Sequence, residues 1–152
     1  MAVITWPTGT QLLVTREFDA PSHLVYRAWN EPDLRRLWWG AGWGEATISE
    51  RDLRVGGSWR NVVTHRSGLQ IGWHGEFREI IPNERVVATV ISEADPGLTG
   101  TSVITFTDKG ERCTVTAFSE HSRKRVRAPA IAHLEAAQIS WDRLEEVARS
   151  LR

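Results

Sequence analysis

The alternation of apolar and polar residues along the middle of the chain predicts a run of antiparallel strands. Short alternating segments are separated there by Gly, Pro, Asn and Asp turn signals, which is typical of strands joined by hairpins. A first strand is predicted earlier in the chain, over residues 12–18. The six later strands are predicted over residues 46–53, 58–65, 70–81, 85–93, 101–107 and 112–120.

Helical spacing occurs in three places outside this run. Pro21 opens a short helix, because proline is tolerated in the first turn. A second short helix is predicted over residues 33–38, after the break at Pro32. From about Pro129 onwards apolar residues recur at helical spacing, which predicts a long amphipathic helix. The element order therefore predicts a single α+β domain over residues 1–152, with seven strands and a long C-terminal helix.

Turn signals also predict which side chains share a face of the sheet, since register decides this. A two-residue turn at 109–110 places Phe106 opposite Cys113. The same turn places Thr107 opposite Arg112. The apolar residues then fall on one face and the threonines on the other, as in a sheet with one buried face. That buried face comprises Ser102, Ile104, Phe106, Cys113, Val115 and Ala117.

The hairpin over residues 58–81 is compatible with two registers. A three-residue loop at 67–69 places Arg60 opposite Glu76 on the solvent side and gathers the aromatic residues on the other face. A two-residue loop instead groups His65, His74 and Glu76 with the inner residues. We favour the three-residue loop, which leaves His74 and Glu76 pointing to solvent. Its buried face comprises Trp59, Asn61, Val63, Trp73, Gly75 and Phe77.

Tryptophan is the most unusual feature of the composition, with eight residues in 152. Tryptophan combines a large apolar area with one N–H donor, so a cluster of them can form a rigid wall around an apolar ligand. The alternative is that these tryptophans only fill the core. In a sheet covered by a helix, the same apolar faces fill the core and line a cavity. The residues predicted to line a ligand cavity are Trp38, Trp39, Trp59, Asn61, Trp73, Phe77, Phe106, Leu134, Gln138 and Trp141.

Polar residues on these apolar faces are the candidates for chemistry. Asn61 and Gln138 must form hydrogen bonds if buried, either to a ligand or to the backbone. His65 and Asn61 are the catalytic candidates, with His65 as a general acid or base near the hairpin tip. An exposed histidine at the end of a strand is the alternative for His65. The single cysteine, Cys113, excludes an intrachain disulfide and is predicted to be a buried apolar residue.

The charge balance and the motif content of the chain argue against several classes of function. The chain carries 19 basic and 19 acidic residues and no sustained basic block outside residues 123–127, so nucleic-acid binding is not expected. No apolar segment has the length of a membrane span and no signal peptide is visible, which predicts a cytoplasmic protein without membrane insertion. No histidine pair has zinc-helix spacing and no phosphate or dinucleotide loop is present, so neither a metal nor another cofactor is expected.

Several short segments of the chain, taken together, form a combination that is specific for one fold. They include Phe18-Asp19-Ala20-Pro21, Trp38-Trp39-Gly40, Gly56-Gly57-Ser58-Trp59, Gly75-Glu76-Phe77 and Trp141-Asp142-Arg143-Leu144. Over about residues 10–151 this combination resembles the heat-shock-protein-90 ATPase activator homologue family of the SRPBCC (START/Bet v 1-like) superfamily. The resemblance implies a helix-grip: a curved seven-stranded antiparallel sheet wrapped around the long C-terminal helix, with two short helices after the first strand and a cavity between sheet and helix.

The tryptophan-rich faces, placed in a helix-grip, favour a function. They favour binding of a hydrophobic or aromatic small molecule in a Trp-lined cavity, in a bacterial natural-product or stress pathway. Relatives also include polyketide cyclases and co-chaperone domains, and fold alone does not choose between such activities. Two alternatives therefore stay open: a cyclase, dehydratase or isomerase without metal or nucleotide cofactor, and a chaperone-interacting module. The sequence does not decide whether the protein forms a homodimer.

Overall fold

The fold positions three helices on one antiparallel sheet. A computed structural model describes residues 3–5, 7, 8, 10–122 and 130–152, the side chains of residues 130–137 excepted. The helices are α1 (Ser22–Asn30), α2 (Pro32–Arg35) and α3 (Ala130–Ser150). The strands are β1 (Val3–Thr5), β2 (Gln11–Phe18), β3 (Glu45–Arg51), β4 (Ser58–Thr64), β5 (Gln70–Ile81), β6 (Arg85–Ser92), β7 (Thr99–Asp108) and β8 (Cys113–His121).

The described strands form one sheet in the order β1-β2-β8-β7-β6-β5-β4-β3, with antiparallel pairing throughout. The predicted α+β class and C-terminal helix are confirmed. The predicted count of seven strands is wrong, because the structure has an additional edge strand, β1. β1 has only three residues, too few to show an alternating pattern, and it exists through its backbone pairing with β2.

The hairpin between β7 and β8 has the predicted faces but a different pairing. Phe106 lies opposite Val115, and Thr107 opposite Thr114, so the predicted partners Cys113 and Arg112 were wrong by two positions. The loop is longer than predicted because Asp108 Oδ1 accepts a hydrogen bond from the Gly110 N–H, at 2.8 Å. A shift of two residues keeps every side chain on its face. Ile104, Phe106, Cys113 and Val115 are accordingly buried.

The hairpin between β4 and β5 shows the same shift. Arg60 lies opposite His74 rather than Glu76, so the predicted cross-strand pair is wrong. The cause is again the turn, which is centred one residue earlier than predicted, because the His65 N–H donates to the Leu69 carbonyl at 2.8 Å and closes the turn over residues 66–68. The predicted face assignment is confirmed, since the side chains of His74 and Glu76 are each 45% exposed.

The short helix α2 ends earlier than predicted, and this positions two tryptophans. The helix expected over residues 33–38 ends at Arg35, and the chain continues in turns. The indole N–H of Trp38 donates to the Ala28 carbonyl at 2.8 Å and holds the ring in the core. Trp38 is 2% exposed, whereas its neighbour Trp39 is only partly buried. The turn therefore directs one tryptophan into the core and the next toward the inner face of the sheet.

The core lies between the sheet, α1 and the C-terminal half of α3. Trp29 of α1, predicted to lie in the core, packs edge-on against Trp141 of α3 at 5.7 Å and against Phe106 of β7 at 6.0 Å. Buried Arg16 of β2 donates to Asp142 of α3 at 2.6 Å. These contacts fix α3 across the sheet. Among the described residues, no helix is long and apolar enough to cross a membrane.

Candidate ligand cavity

A cavity of about 250 Å³ lies on the inner face of the sheet, next to α1 and α2. We call it the arginine cavity. Its aromatic lining residues are Trp29, Trp39, Trp59, Trp73 and Phe77. Its polar lining residues are Arg35, Arg51, Asn61, Ser102, Ser119 and His121. Apolar walls with a few converging polar groups are typical of small-molecule sites.

The floor of the arginine cavity depends on a glycine beneath Trp59. Trp59 on β4 lies opposite Gly75 on β5, and its indole N–H donates to the Thr89 carbonyl on β6 at 3.1 Å. A Cβ atom at Gly75 would lie 1.8 Å from that carbonyl oxygen and 2.7 Å from the indole nitrogen. Only glycine leaves this space, so the indole can cross β5 and form part of the cavity wall.

The ring pair Trp39–Trp73 separates the arginine cavity from a second one. The two rings pack edge-on with centroids 5.6 Å apart, and both border each cavity. The second cavity, of about 310 Å³, is called the helix cavity because Ser140 and Trp141 of α3 contribute to it. Its remaining lining residues are Ile4, Leu12, Val14, Trp38, Gly40, Trp43, Val63 and Ile71.

Arg35 is a buried cation held by aromatic rings. Its guanidinium carbon lies 5.6, 5.3 and 5.7 Å from the ring centroids of Trp29, Trp38 and Trp39. Its Nη1 donates to the Trp29 carbonyl at 3.1 Å. Burial, and next the charge of Arg51, lower the pKa of Arg35 well below its usual range. The ring contacts offset part of the cost of burying this charge.

Arg51 is the second cation of the cavity and is partly buried. It lies at the end of β3 opposite Trp59, with its guanidinium carbon 5.0 Å from the Phe77 ring centroid. Its Nη2 donates to Asn30 Oδ1 at 2.9 Å, whereas its buried Nε has no hydrogen-bond partner among the described residues. Burial lowers the pKa of Arg51 to about 10.

Asn61 connects the sheet to Arg35. It is 1% exposed and lies opposite Trp73. In the amide orientation that satisfies both ends, Oδ1 accepts from Nε and Nη2 of Arg35, each at 3.2 Å. Its Nδ2 then donates to the Arg60 carbonyl at 3.1 Å. Of the two kinds of partner considered for this residue, a ligand or the backbone, the structure shows the backbone, at Arg60, and adds the side chain of Arg35.

The predicted site residues divide between several places. Trp39, Trp59, Asn61, Trp73 and Phe77 line the arginine cavity, which brings half of the predicted set together. Trp38 and Trp141 border the helix cavity and belong to the core. Phe106 is packed between Tyr26 and Trp29 under α1, away from both cavities.

The remaining predicted residues lie elsewhere. Gln138 is partly buried, and its Nε2 has no hydrogen-bond partner among the described residues. The side chain of Leu134 lies outside the described residues. His65 sits in the β4–β5 turn, where its Nδ1 is 2.9 Å from Ser67 Oγ and its ring 5.0 Å from the Trp43 ring. His65 therefore does not line the arginine cavity with Asn61, because β4 ends at Thr64 and His65 lies in the turn.

Sequence reasoning missed the two arginines and His121. The signal for Arg35 was its spacing, three and four residues before Trp38 and Trp39, which favours stacking on both rings. Arg51 carries a weaker signal, since a bulge between Ala46 and Ile48 changes the parity of β3 and hides which residues face inward. His121 lies at the end of β8 and reaches the cavity only because of the sheet order.

Cys113 is expected to resist alkylation in the folded protein. It is fully buried, and desolvation, with a smaller contribution from Asp108, raises the pKa of its thiol to about 11. At pH 8 the thiolate is then roughly a thousandth of the population, against about a quarter for an ordinary thiol. Intact-mass spectrometry should show iodoacetamide adding to the urea-unfolded chain at least ~100 times faster than to the native one. Equal rates would contradict the burial of this thiol.

A wider depression of about 850 Å³ occupies the opposite, outer face of the sheet. Its lining includes Thr89, Thr101 and Glu120, whose side chains alternate with those facing the inner cavities. Size alone does not make a binding site, since small-molecule sites combine concave apolar walls with converging polar groups. The inner cavity has that combination.

The sheet and the C-terminal helix packed across it define a domain with the helix-grip fold of the SRPBCC class. A family model described as Activator of Hsp90 ATPase homolog 1-like protein matches residues 19–149, and the chain belongs to this family. The comparison with curated proteins finds no match.

Solved structures agree on the fold. A protein from Rhodobacter sphaeroides superposes with a TM-score of 0.88 at 18% identity, covering 100% of both chains. A protein from Chromobacterium violaceum gives a TM-score of 0.80 at 23% identity, covering 93% of this chain and 98% of that one. A protein from Mycobacterium smegmatis gives 0.78 at 20% identity, covering 97% and 96%. At these identities the likeness extends to the fold alone.

Proposed function

We propose that the protein binds a small planar aromatic molecule in the arginine cavity. The observation that carries this proposal is the convergence of five aromatic side chains and two buried polar ones, Arg35 and Asn61, on one cavity. Ordinary core packing leaves few voids larger than a water molecule. A cavity of about 250 Å³ exceeds such voids, and this supports a binding role.

The shape of the walls supports a flat ligand. The Trp59 indole is held by its hydrogen bond to Thr89, and the Trp73 ring is held edge-on by Trp39. Rigid aromatic rings prefer offset-stacked or edge-to-face partners, which a planar ring system supplies. The volume lies just below the ~300–1,000 Å³ typical of sites for drug-sized ligands. It suits a molecule of one or two rings.

The proposal predicts that Trp73→Ala weakens binding while leaving the protein folded. Trp73 is only partly buried, so its loss removes cavity wall more than core. We expect 2-naphthoate to bind the wild type, to raise its melting temperature through linkage, and to bind Trp73→Ala at least ~10 times more weakly. Isothermal titration calorimetry measures the affinity and differential scanning fluorimetry the melting temperature.

Trp43→Ala is the matched control for this experiment. Trp43 is also partly buried, but it packs against His65 and borders only the helix cavity of the two. Its replacement should leave the affinity for 2-naphthoate within about twofold of the wild type. Equal binding by Trp73→Ala and the wild type would show that the ligand site lies elsewhere. If the wild type binds neither 2-naphthoate nor its neutral analogue 2-naphthamide, the proposed function is wrong.

A further inference from the structure

The arginine cavity contains two cations without an anion. Arg35 is 7% exposed, and Arg51 borders the same space. Neither forms an ion pair with a carboxylate among the described side chains; their hydrogen-bond partners are the Trp29 carbonyl, Asn61 and Asn30. Buried charges in proteins are ordinarily paired with an opposite charge or bound to a ligand.

Arg16 shows how this chain treats a buried arginine that is part of its structure. Arg16 is also 7% exposed, and it contacts Asp142 at 2.6 Å and Glu145 at 3.6 Å. Two carboxylates of α3 thus compensate one buried cation on β2. Arg35 and Arg51 have the reverse arrangement, two cations with no carboxylate partner among the described residues, and the charge of Arg51 makes burial of Arg35 more costly.

The hydrogen bonds of the pair leave donors for a ligand. Three nitrogens of Arg35 are bonded to Trp29 and Asn61, and three tryptophan rings surround it. Within the described residues Arg51 uses only Nη2, which donates to Asn30. Both guanidinium groups are therefore held in place before a ligand arrives, and Arg51 retains donor capacity beside the cavity.

We propose that the ligand of the arginine cavity is an aromatic carboxylate, with its carboxylate bound by Arg51 next to Arg35 and its ring against Trp59 and Trp73. This inference rests on the proposed function and adds the charge of the ligand to it. A carboxylate matches the planar fork of a guanidinium and accepts two parallel hydrogen bonds from it. The bound anion also relieves the repulsion between the two cations.

The test compares two ligands that differ in charge and hardly in shape. Calorimetry at pH 7.5 measures the affinities of 2-naphthoate and 2-naphthamide for the wild type, Arg51→Met, Arg51→Lys and Arg60→Met. We expect the wild type to bind the carboxylate at least ~10 times more tightly than the amide. Arg51→Met should lose this preference and keep its affinity for the amide, and Arg51→Lys should recover part of the preference, because lysine restores the charge without the fork.

Arg60→Met is the control for charge in general. Arg60 lies on the neighbouring strand β4 but on the outer face, where both Nε and Nη2 contact Glu93 at 2.9 Å. Its replacement should leave the preference unchanged. The wild-type preference should also persist at ~1 M salt, since a buried pair is screened far less than an exposed one. A preference that disappears with salt would place the carboxylate on the surface and overturn the inference.

The outcomes separate this inference from the function on which it rests. Equal affinity of the wild type for the two ligands overturns the charge assignment and leaves the aromatic site in place. Binding of neither ligand overturns both. A preference that survives in folded Arg51→Met overturns the role of Arg51. The wild-type comparison decides the charge of the ligand even if the Arg51 variants do not fold, so the inference does not depend on any single variant.

Discussion

Replacing Trp38 with alanine should lower the free energy of unfolding by about 3–5 kcal/mol, the largest effect expected of any single substitution considered for this protein. The Trp38 ring is 2% exposed and lies 5.0 Å from the Trp29 ring. Its removal leaves a cavity, deprives the Ala28 carbonyl of a donor and takes one aromatic face away from Arg35. Domains of this size are stable by only about 5–15 kcal/mol, so the variant should be partly unfolded near physiological temperature.

Urea denaturation followed by circular dichroism measures this loss. Trp39→Ala is the matched control, because Trp39 is the next residue in the chain but is only partly buried. It should lose less than half as much stability as Trp38→Ala. If the free energy of unfolding of Trp38→Ala falls by less than about 1 kcal/mol, the core position of this ring is wrong. Truncation of a buried aromatic side chain in a well-packed core destabilises a protein by more than that.

Replacing Gly75 with alanine should destabilise the sheet and remove ligand binding together. The added methyl group would collide with the Thr89 backbone carbonyl and with the Trp59 indole nitrogen. A backbone atom cannot rotate away, so β5 and β6 must separate or the indole must leave its place. We expect a loss of about 1–3 kcal/mol in unfolding free energy. We also expect a drop of at least ~10-fold in affinity for 2-naphthoate, because the Trp59 wall moves.

Gly72→Ala is the control on the same strand. A methyl group there meets the end of the flexible Glu93 side chain at 2.5 Å and the Val62 methyl group at 3.3 Å. The carboxylate can turn away, so the effects on stability and on affinity should both be small. Thermal unfolding and calorimetry on the two variants measure the contrast. Equal behaviour of Gly75→Ala and Gly72→Ala would contradict the close approach of Trp59 to the backbone at Gly75.

The two hairpins show which part of the register can be predicted from a sequence. The face of each side chain follows from the alternation of apolar and polar residues, and Trp59, Asn61, Trp73 and Phe77 share a face as predicted. The exact partner depends on the turn, and there a side-chain acceptor, Asp108 in one hairpin, adds residues to the loop. Shifts by two preserve the pattern, so the pattern cannot detect them.

The candidate site also has a part that the sequence predicts and a part that it does not. Its aromatic walls could be predicted, because tryptophans on one face of a sheet are visible as a periodic pattern. Its charged residues could not be predicted. Arg35 belongs to the short helix α2 and Arg51 to the edge strand β3, and the two meet only when α2 packs over the sheet. An arginine in a sequence is ordinarily assigned to the surface. Only the fold shows that Arg35 is buried and that Arg51 borders the same cavity.

The amino-acid sequence by itself determined the α+β class, the order of the main elements, the long C-terminal helix and the inward faces of the paired strands. These follow from local periodicity and turn chemistry, which act over a few residues. The tertiary structure alone decided the edge strand β1, the partners across each hairpin, the division of the inner space by Trp39 and Trp73, and the placement of two cations beside one cavity. The physical reason is that each of these depends on contacts between residues far apart in the chain, whose desolvation and packing energies arise only when the elements meet.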